Sequence, residues 1–208
     1  RLEDGKKIKK KTKILVLEGN ARDILSIERT ALNLLQHLSG ISTLTSRYFK
    51  RINSSKSILL DTRKTTPGLR TLEKYATYIG GAKNHRLNLA ERFMIKDNHL
   101  LLNSKIFEKI RKMQTGKKNT LVMECDNLYQ VKKAILLKIK HILLDNMDIK
   151  KIKEACKLIG KRAKIEVSGG INLQNIKKIS NIGVNFISVG SITQSASAAK
   201  ICLELKKI

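Results

Sequence analysis

Six short apolar runs along the chain each end in a burst of polar and charged residues before the next amphipathic segment begins. The runs cover 57–62, 93–96, 120–125, 142–145, 163–168 and 186–190, and their length and flanking turn residues predict strands. Between and after them the apolar spacing predicts helices over 67–78, 104–115, 128–138, 149–160, 173–179 and 193–206. Pro67-Gly68 opens the first of these, with proline suited to a first turn, and Gly80-Gly81 closes it. Ahead of the series the pattern predicts a short strand over 14–17 and a helix over 22–38. Apolar residues at Ile24, Leu25, Ile27, Ala31, Leu34, Leu35 and Leu38 fall near a 3.6-residue period. Gly40 is expected to stop this helix and a second to run over 42–50.

Strands alternating with helices mean a parallel sheet and an α/β class. Six strands are too few for a closed (β/α) barrel of eight. An incomplete parallel (β/α) barrel and an open doubly wound sheet fit the periodicity equally. In either, the carboxyl ends of the strands share one face, and in barrels that face holds the active site. The polar bursts therefore converge, although they are scattered along the sequence.

The 208 residues suit one large domain, and 41% hydrophobic content supplies a core. No apolar run approaches the roughly 18 residues of a membrane span, and residues 1–5 do not resemble a signal peptide. Cys125, Cys156 and Cys202 are odd in number and lack C-x-x-C spacing, so a cytoplasmic location is expected. The formal charge of +26 raises nucleic acid as a partner. Lysine rather than arginine dominates, it is spread over every helix, and no Trp with only four Tyr and four Phe leaves little for base stacking. The pattern favours a solvated surface over a nucleic-acid groove.

The bursts carry specific chemistry. Asp61-Thr62-Arg63-Lys64 sets a guanidinium fork beside a point charge, a pair suited to a carboxylate or phosphate. Gly80-Gly81 leads into Lys83-Asn84-His85-Arg86, and Lys96-Asp97-Asn98-His99 ends the next strand, with Asp97 placed to steady a lysine or histidine. Glu124 and Asp145 end neighbouring strands, where paired acids can share a hydrated Mg²⁺, bond sugar hydroxyls or stabilise an oxocarbenium charge. Ser168-Gly169-Gly170 and Val189-Gly190-Ser191 end the last two strands, the places where barrels hold a phosphate.

With these residues in view, the chain resembles the quinolinate phosphoribosyltransferase (nicotinate-nucleotide pyrophosphorylase) family. The likeness lies in Glu28 to Leu35, Leu38 to Thr43, Asp61 to Gly68, Gly80 to Arg86, Ile95 to His99, Leu144-Asp145-Asn146, Ser168 to Ile171 and Val189 to Thr193, in family order. The resemblance implies a type II phosphoribosyltransferase-like incomplete barrel over 53–195, preceded over 1–52 by linking helices and a remnant of an N-terminal α/β sandwich domain, and followed over 196–208 by a C-terminal helix. It implies transfer of phosphoribosyl from phosphoribosyl pyrophosphate to quinolinate with Mg²⁺ and decarboxylation, giving nicotinate mononucleotide for NAD synthesis.

By the same resemblance, Arg63, Lys64, His85, Arg86 and Lys96 surround quinolinate, and Arg29 enters from a neighbouring subunit, so a homodimer or a higher oligomer with shared sites is expected. Lys96, Glu124 and Asp145 act in catalysis. Thr62, Lys64, Glu124, Asp145, Ser168, Gly169, Gly170, Val189, Gly190 and Ser191 hold phosphoribosyl pyrophosphate, with Mg²⁺ carried on its pyrophosphate near the two acids. Three departures stand out: the chain begins inside the family's N-terminal segment, Cys125 replaces a small aliphatic residue, and Lys10-Lys11 fill a turn where glycine is usual. The competing readings are a silent remnant with a polyanion-binding surface, and a paralogue of the same fold acting on another aromatic acid.

Overall fold

The structure, a computed structural model, describes residues 2–88, 93–96 and 121–206. The helix expected over 104–115 and the expectation for Asp97 lie outside the described residues.

One long helix, α1 (Ala21–Ile52), replaces the two expected. Asn20 caps it by accepting the Arg22 N–H on its side chain (2.9 Å). Gly40 does not interrupt it. A Cβ at Gly40 would lie 2.1 Å from the Ser197 carbonyl oxygen, so the glycine serves the close approach of the C-terminal segment. There Ala199 N–H donates to Gln36 O (2.9 Å) and Gln36 Nε2 to Ile201 O (2.6 Å). The same contacts explain why the helix expected over 193–206 shrinks to one turn, α6 (Ser191–Gln194). Backbone groups beyond it bond α1 instead of one another. The strand expected over 14–17 does not form either, because no neighbouring strand pairs with it among the described residues, and Val16 is 68% exposed.

Among the described residues, the alternation after α1 is as the pattern predicts. The remaining elements are β1 (Ile58–Leu60), α2 (Arg70–Ile79), β2 (Met94–Ile95), β3 (Val122–Cys125), α3 (Leu128–Leu136), β4 (His141–Asp145), α4 (Ile149–Ile159), β5 (Lys164–Ser168), α5 (Ile176–Ser180) and β6 (Phe186–Ser188). All strand pairs are parallel, in the order β1-β6-β5-β4-β3-β2. Beyond β1, Lys83 extends the sheet by a parallel bridge to Leu60.

Curvature decides between the two topologies. His85, two residues past Lys83, places Nε2 3.3 Å from Glu166 Oε1 on β5. In a flat sheet Lys83 and β5 are three strand spacings, about 14 Å, apart. The sheet must curl so that the inner faces of distant strands meet, which is an incomplete barrel. Arg86 Nη2 reaches Met94 Sδ (3.7 Å), joining the chain beyond one edge of the sheet to the strand at the other edge.

Pleating sorts the residues. In register, Glu124 faces Leu143, Leu143 faces Glu166, Asp145 faces Ser168 and Glu166 faces Phe186, so the polar strand residues share the inner face. Met123, Cys125, Ile142, Leu144, Ile165, Val167 and Ile187 alternate with them and belong to the buried apolar core, together with Val131, Ala134, Ile152, Ala155, Ile159, Ile176 and Ile179 from the helices.

Candidate active site

At the carboxyl ends of β2 and β3, Lys96 Nζ bonds both oxygens of Glu124 (2.9 and 2.8 Å). Lys96 is exposed while Glu124 is mostly covered, so the pair lines a rim rather than filling a core. At the next strand end, Ser168 Oγ donates to Asp145 Oδ1 and Asn146 Nδ2 to Oδ2 (2.7 Å). Asp145 is thus fixed by the loops of both β4 and β5. Carboxylate oxygens of Glu124, Asp126 and Asp145 lie within 4.8 Å of one another, an oxygen donor set suited to a hard divalent cation. Cys125 lies between two of these acids but faces the core. Burial, aided by the charges of Asp126 and Glu124, pushes its thiol up to about 12, so it is inert at neutral pH.

The loops after β1 and β6 adjoin each other. A Cβ on Gly190 would lie 3.2 Å from Lys64 Cδ and 3.6 Å from Thr62 Oγ1. Thr193 Oγ1 donates to Lys64 O (2.7 Å), Lys64 N–H donates to Thr62 Oγ1 (3.1 Å), and the Ser191 hydroxyl meets Tyr48 Oη of α1 (3.1 Å). The structure therefore brings Thr62, Lys64, Val189, Gly190 and Ser191 together, and separately Lys96, Glu124, Asp145 and Ser168. Gly169 and Gly170 continue the β5 loop at φ 81° and 62°. Arg63 is half-buried, and its guanidinium has no partner among the described residues. Arg29 is exposed on the N-terminal half of α1.

His85 is anchored in the wall of the barrel. It is buried, Nδ1 accepts the Arg86 N–H (2.9 Å), and Nε2 faces Glu166.

Sequence reasoning passed over the group that His85 serves. Glu166 is fully buried and accepts hydrogen bonds from His141 Nε2 (2.8 Å) and Ser188 Oγ (2.5 Å) in addition to its His85 contact. A lone acid in the middle of the apolar run 163–168 was the available signal. Burial alone would raise its pKa, but the hydrogen bonds from His141, His85 and Ser188 outweigh that and hold it well below the ordinary carboxylate range. A depressed folded-state value means that its stabilisation is present above its unfolded value near 4.5 and is lost as pH falls below it. Unfolding free energies from urea titrations between pH 6 and pH 3 are expected to fall further for the wild type than for Glu166→Gln, by about 1 kcal/mol or more over that range. Parallel curves would show that Glu166 is not ionised in the folded chain.

Comparison with known proteins supplies the family. Residues 41–204 match the family described as quinolinate phosphoribosyl transferase, C-terminal domain, and residues 1–39 match its N-terminal domain. The chain is 40% identical over 198 residues to a probable nicotinate-nucleotide pyrophosphorylase [carboxylating] of Synechocystis, covering 92% of this chain and 67% of that protein. It is 35% identical to the nicotinate-nucleotide pyrophosphorylase [carboxylating] of Mycobacterium leprae, covering 99% of this chain and 74% of that one. The solved nicotinate-nucleotide pyrophosphorylase of Ehrlichia chaffeensis superposes with a TM-score of 0.80 at 40% identity, covering 85% of this chain and 65% of that one. The chain thus spans about two thirds of the length of these relatives. Both halves of the family pattern, on either side of Gly40, place it: the chain belongs to the quinolinate phosphoribosyltransferase family.

Proposed function

We propose that the chain joins quinolinate to phosphoribosyl pyrophosphate, releasing pyrophosphate and CO₂ and giving nicotinate mononucleotide for NAD synthesis. The observation that carries the reading is the division of the strand-end face. A rim of cations (Arg63, Lys64, Lys96) and acids (Glu124, Asp145) stands beside loops that end in glycines and hydroxyls (Ser168–Gly170, Gly190-Ser191). The likeness to proteins named for this activity supports it.

Quinolinate is a dianion at neutral pH, and Arg63, Lys64, Arg86 and Lys96 are assigned to its carboxylates. Its ring nitrogen attacks the anomeric carbon as pyrophosphate leaves. Positive charge develops on the ribose during that step, and Glu124 and Asp145 stabilise it. The positive pyridinium nitrogen that results stabilises the carbanion left at C2 when the 2-carboxylate departs as CO₂, and a proton then adds to that carbon. Ser168, Gly169, Gly170, Val189, Gly190 and Ser191, with Thr62, are assigned to the phosphate end, where backbone N–H groups suit an anion.

The clustered oxygens of Glu124, Asp126 and Asp145 fit Mg²⁺ brought in on the pyrophosphate. Bound there, it would neutralise charge on the leaving group. Lys96 and Ser168 already hold Glu124 and Asp145 from the protein side, so both acids are aimed before substrate arrives.

We further propose a homodimer with shared sites, completed by Arg29, in the cytoplasm. Arg29 is exposed on the N-terminal half of α1. The cysteines are all unpaired, and no helix among the described residues is long and apolar enough to cross a membrane.

Formation of nicotinate mononucleotide by purified protein supplied with quinolinate, phosphoribosyl pyrophosphate and Mg²⁺ tests the reaction, and no product under those conditions refutes it. For the pocket assignment, Arg63→Ala and Arg86→Ala are each expected to weaken quinolinate binding by about 10- to 150-fold, the loss of one charge-assisted contact. Unchanged affinity in both variants would remove that assignment.

A further inference from the structure

We propose that Asp61 and Lys74 are positioning residues for the quinolinate pocket, an inference that rests on the reaction proposed above. Asp61 directly follows β1 and is fully buried; Lys74 lies on α2 and is 2% exposed. Neither reaches the rim. Lys74 Nζ bonds Asp61 Oδ1 at 2.6 Å, and both groups also hold the peptide of His85. The His85 N–H donates to Asp61 Oδ1 (2.6 Å) and the His85 carbonyl accepts from Lys74 Nζ (2.9 Å).

An ion pair this deeply buried is costly to desolvate and survives only where further hydrogen bonds satisfy it. Asp61 Oδ2 has them from Thr77 Oγ1 (3.0 Å) and Asn84 Nδ2 (2.8 Å). A pair of apolar residues would fill the same space without that penalty, so the charges answer to a demand other than core packing. The demand we identify is direction. The His85 peptide is gripped on both its donor and acceptor sides by α2 and β1, while its ring is held by Glu166 of β5 on the opposite wall. The next residue is Arg86, mostly buried, whose guanidinium reaches across to Met94, two residues before Lys96. A guanidinium fork binds a carboxylate in two parallel bonds only when its angle is set. Held at three points, the His85-Arg86 segment delivers that angle.

The test compares the charge-neutral, size-matched double variant Asp61→Asn/Lys74→Met with Ile152→Ala, a cavity in α4 that lowers stability without touching the rim. The double variant is expected to raise the quinolinate KM by about 10- to 100-fold, with the phosphoribosyl pyrophosphate KM within twofold of wild type. Ile152→Ala is expected to lower Tm and move neither KM. If the double variant fails to fold, Asn84→Ala decides, since it loosens Asp61 without removing a charge; a rise in quinolinate KM of about 3- to 10-fold supports the clamp. A folded double variant, or Asn84→Ala in its place, with unmoved quinolinate KM overturns the positioning role while the reaction stands. Equal rises in both KM values also overturn it. A wild-type chain with neither turnover nor quinolinate binding removes the reaction and the positioning role together.

Discussion

Asp145→Ala is expected to cut turnover by roughly 10²- to 10³-fold while leaving quinolinate affinity within about threefold of wild type. The asymmetry follows from when the charge is needed. Asp145 sits at the end of β4, held by Ser168 Oγ from one side and Asn146 Nδ2 from the other. A carboxylate fixed in this way does not have to reorganise as positive charge grows on the ribose, so its stabilisation is largest in the transition state. In the ground state it faces a neutral sugar and contributes little. Glu124→Ala is expected to behave similarly in turnover, with one added consequence. Lys96 Nζ bonds both oxygens of Glu124, and truncation removes that competition for the ammonium. Quinolinate affinity is therefore expected to hold or to tighten in Glu124→Ala even as turnover collapses. Steady-state kinetics with each substrate varied in turn, paired with calorimetric quinolinate binding, checks both. A variant that loses quinolinate binding yet keeps normal kinetics in phosphoribosyl pyrophosphate would show that the two halves of the site are assigned the wrong way round.

The parts of the fold that were legible in the sequence are those fixed by short-range pattern. Each apolar run from 57 to 190 became a strand within a few residues, because every one ends in a turn and is followed by a helical period. What was illegible depends on partners far along the chain. Gly40 reads as a helix stop, yet it lies inside α1 because Ser197, more than 150 residues later, packs against it. The alanine- and serine-rich stretch after 194 reads as helical, but its Ala199 N–H and Ile201 carbonyl both bond Gln36 on α1. The site divides along the same line. Lys96, Glu124, Asp145 and Ser168 sit at strand ends, where polarity after an apolar run marks them. Glu166 and Lys74 lie inside regular elements, where a charged residue is ordinarily a solvated one. Only the curl of the sheet and the packing of α2 reveal that each is buried with partners of its own.

Mixing two crippled chains is expected to restore activity if Arg29 completes the neighbour's pocket. α1 is tied to its own barrel at His37, whose Nε2 meets the buried Glu73 carboxylate at 2.8 Å, and Glu73 in turn accepts the Thr66 N–H of the loop that carries Arg63 and Lys64 (3.2 Å). Arg29 lies eight residues further towards the N-terminus, about 12 Å along the helix axis, on a stretch where Leu25, Ile27 and Leu35 are also exposed. Exposed apolar side chains on a helix are suited to burial against a second copy. Arg29→Ala and Arg63→Ala chains are each expected to be nearly inactive alone, because every site in either homodimer lacks one cation. In a mixed dimer one pocket carries both defects and the other carries neither. Random pairing makes half of the dimers mixed, so re-equilibration is expected to recover about a quarter of wild-type sites, given the isologous two-fold pairing usual for dimers. Activity measured after subunit exchange, with exchange verified by a mass-tagged chain, gives the answer. A monomeric site cannot produce recovery at all, so an exchanged mixture that stays inactive, or a wild type that is active as a monomer by light scattering, rules the shared pocket out.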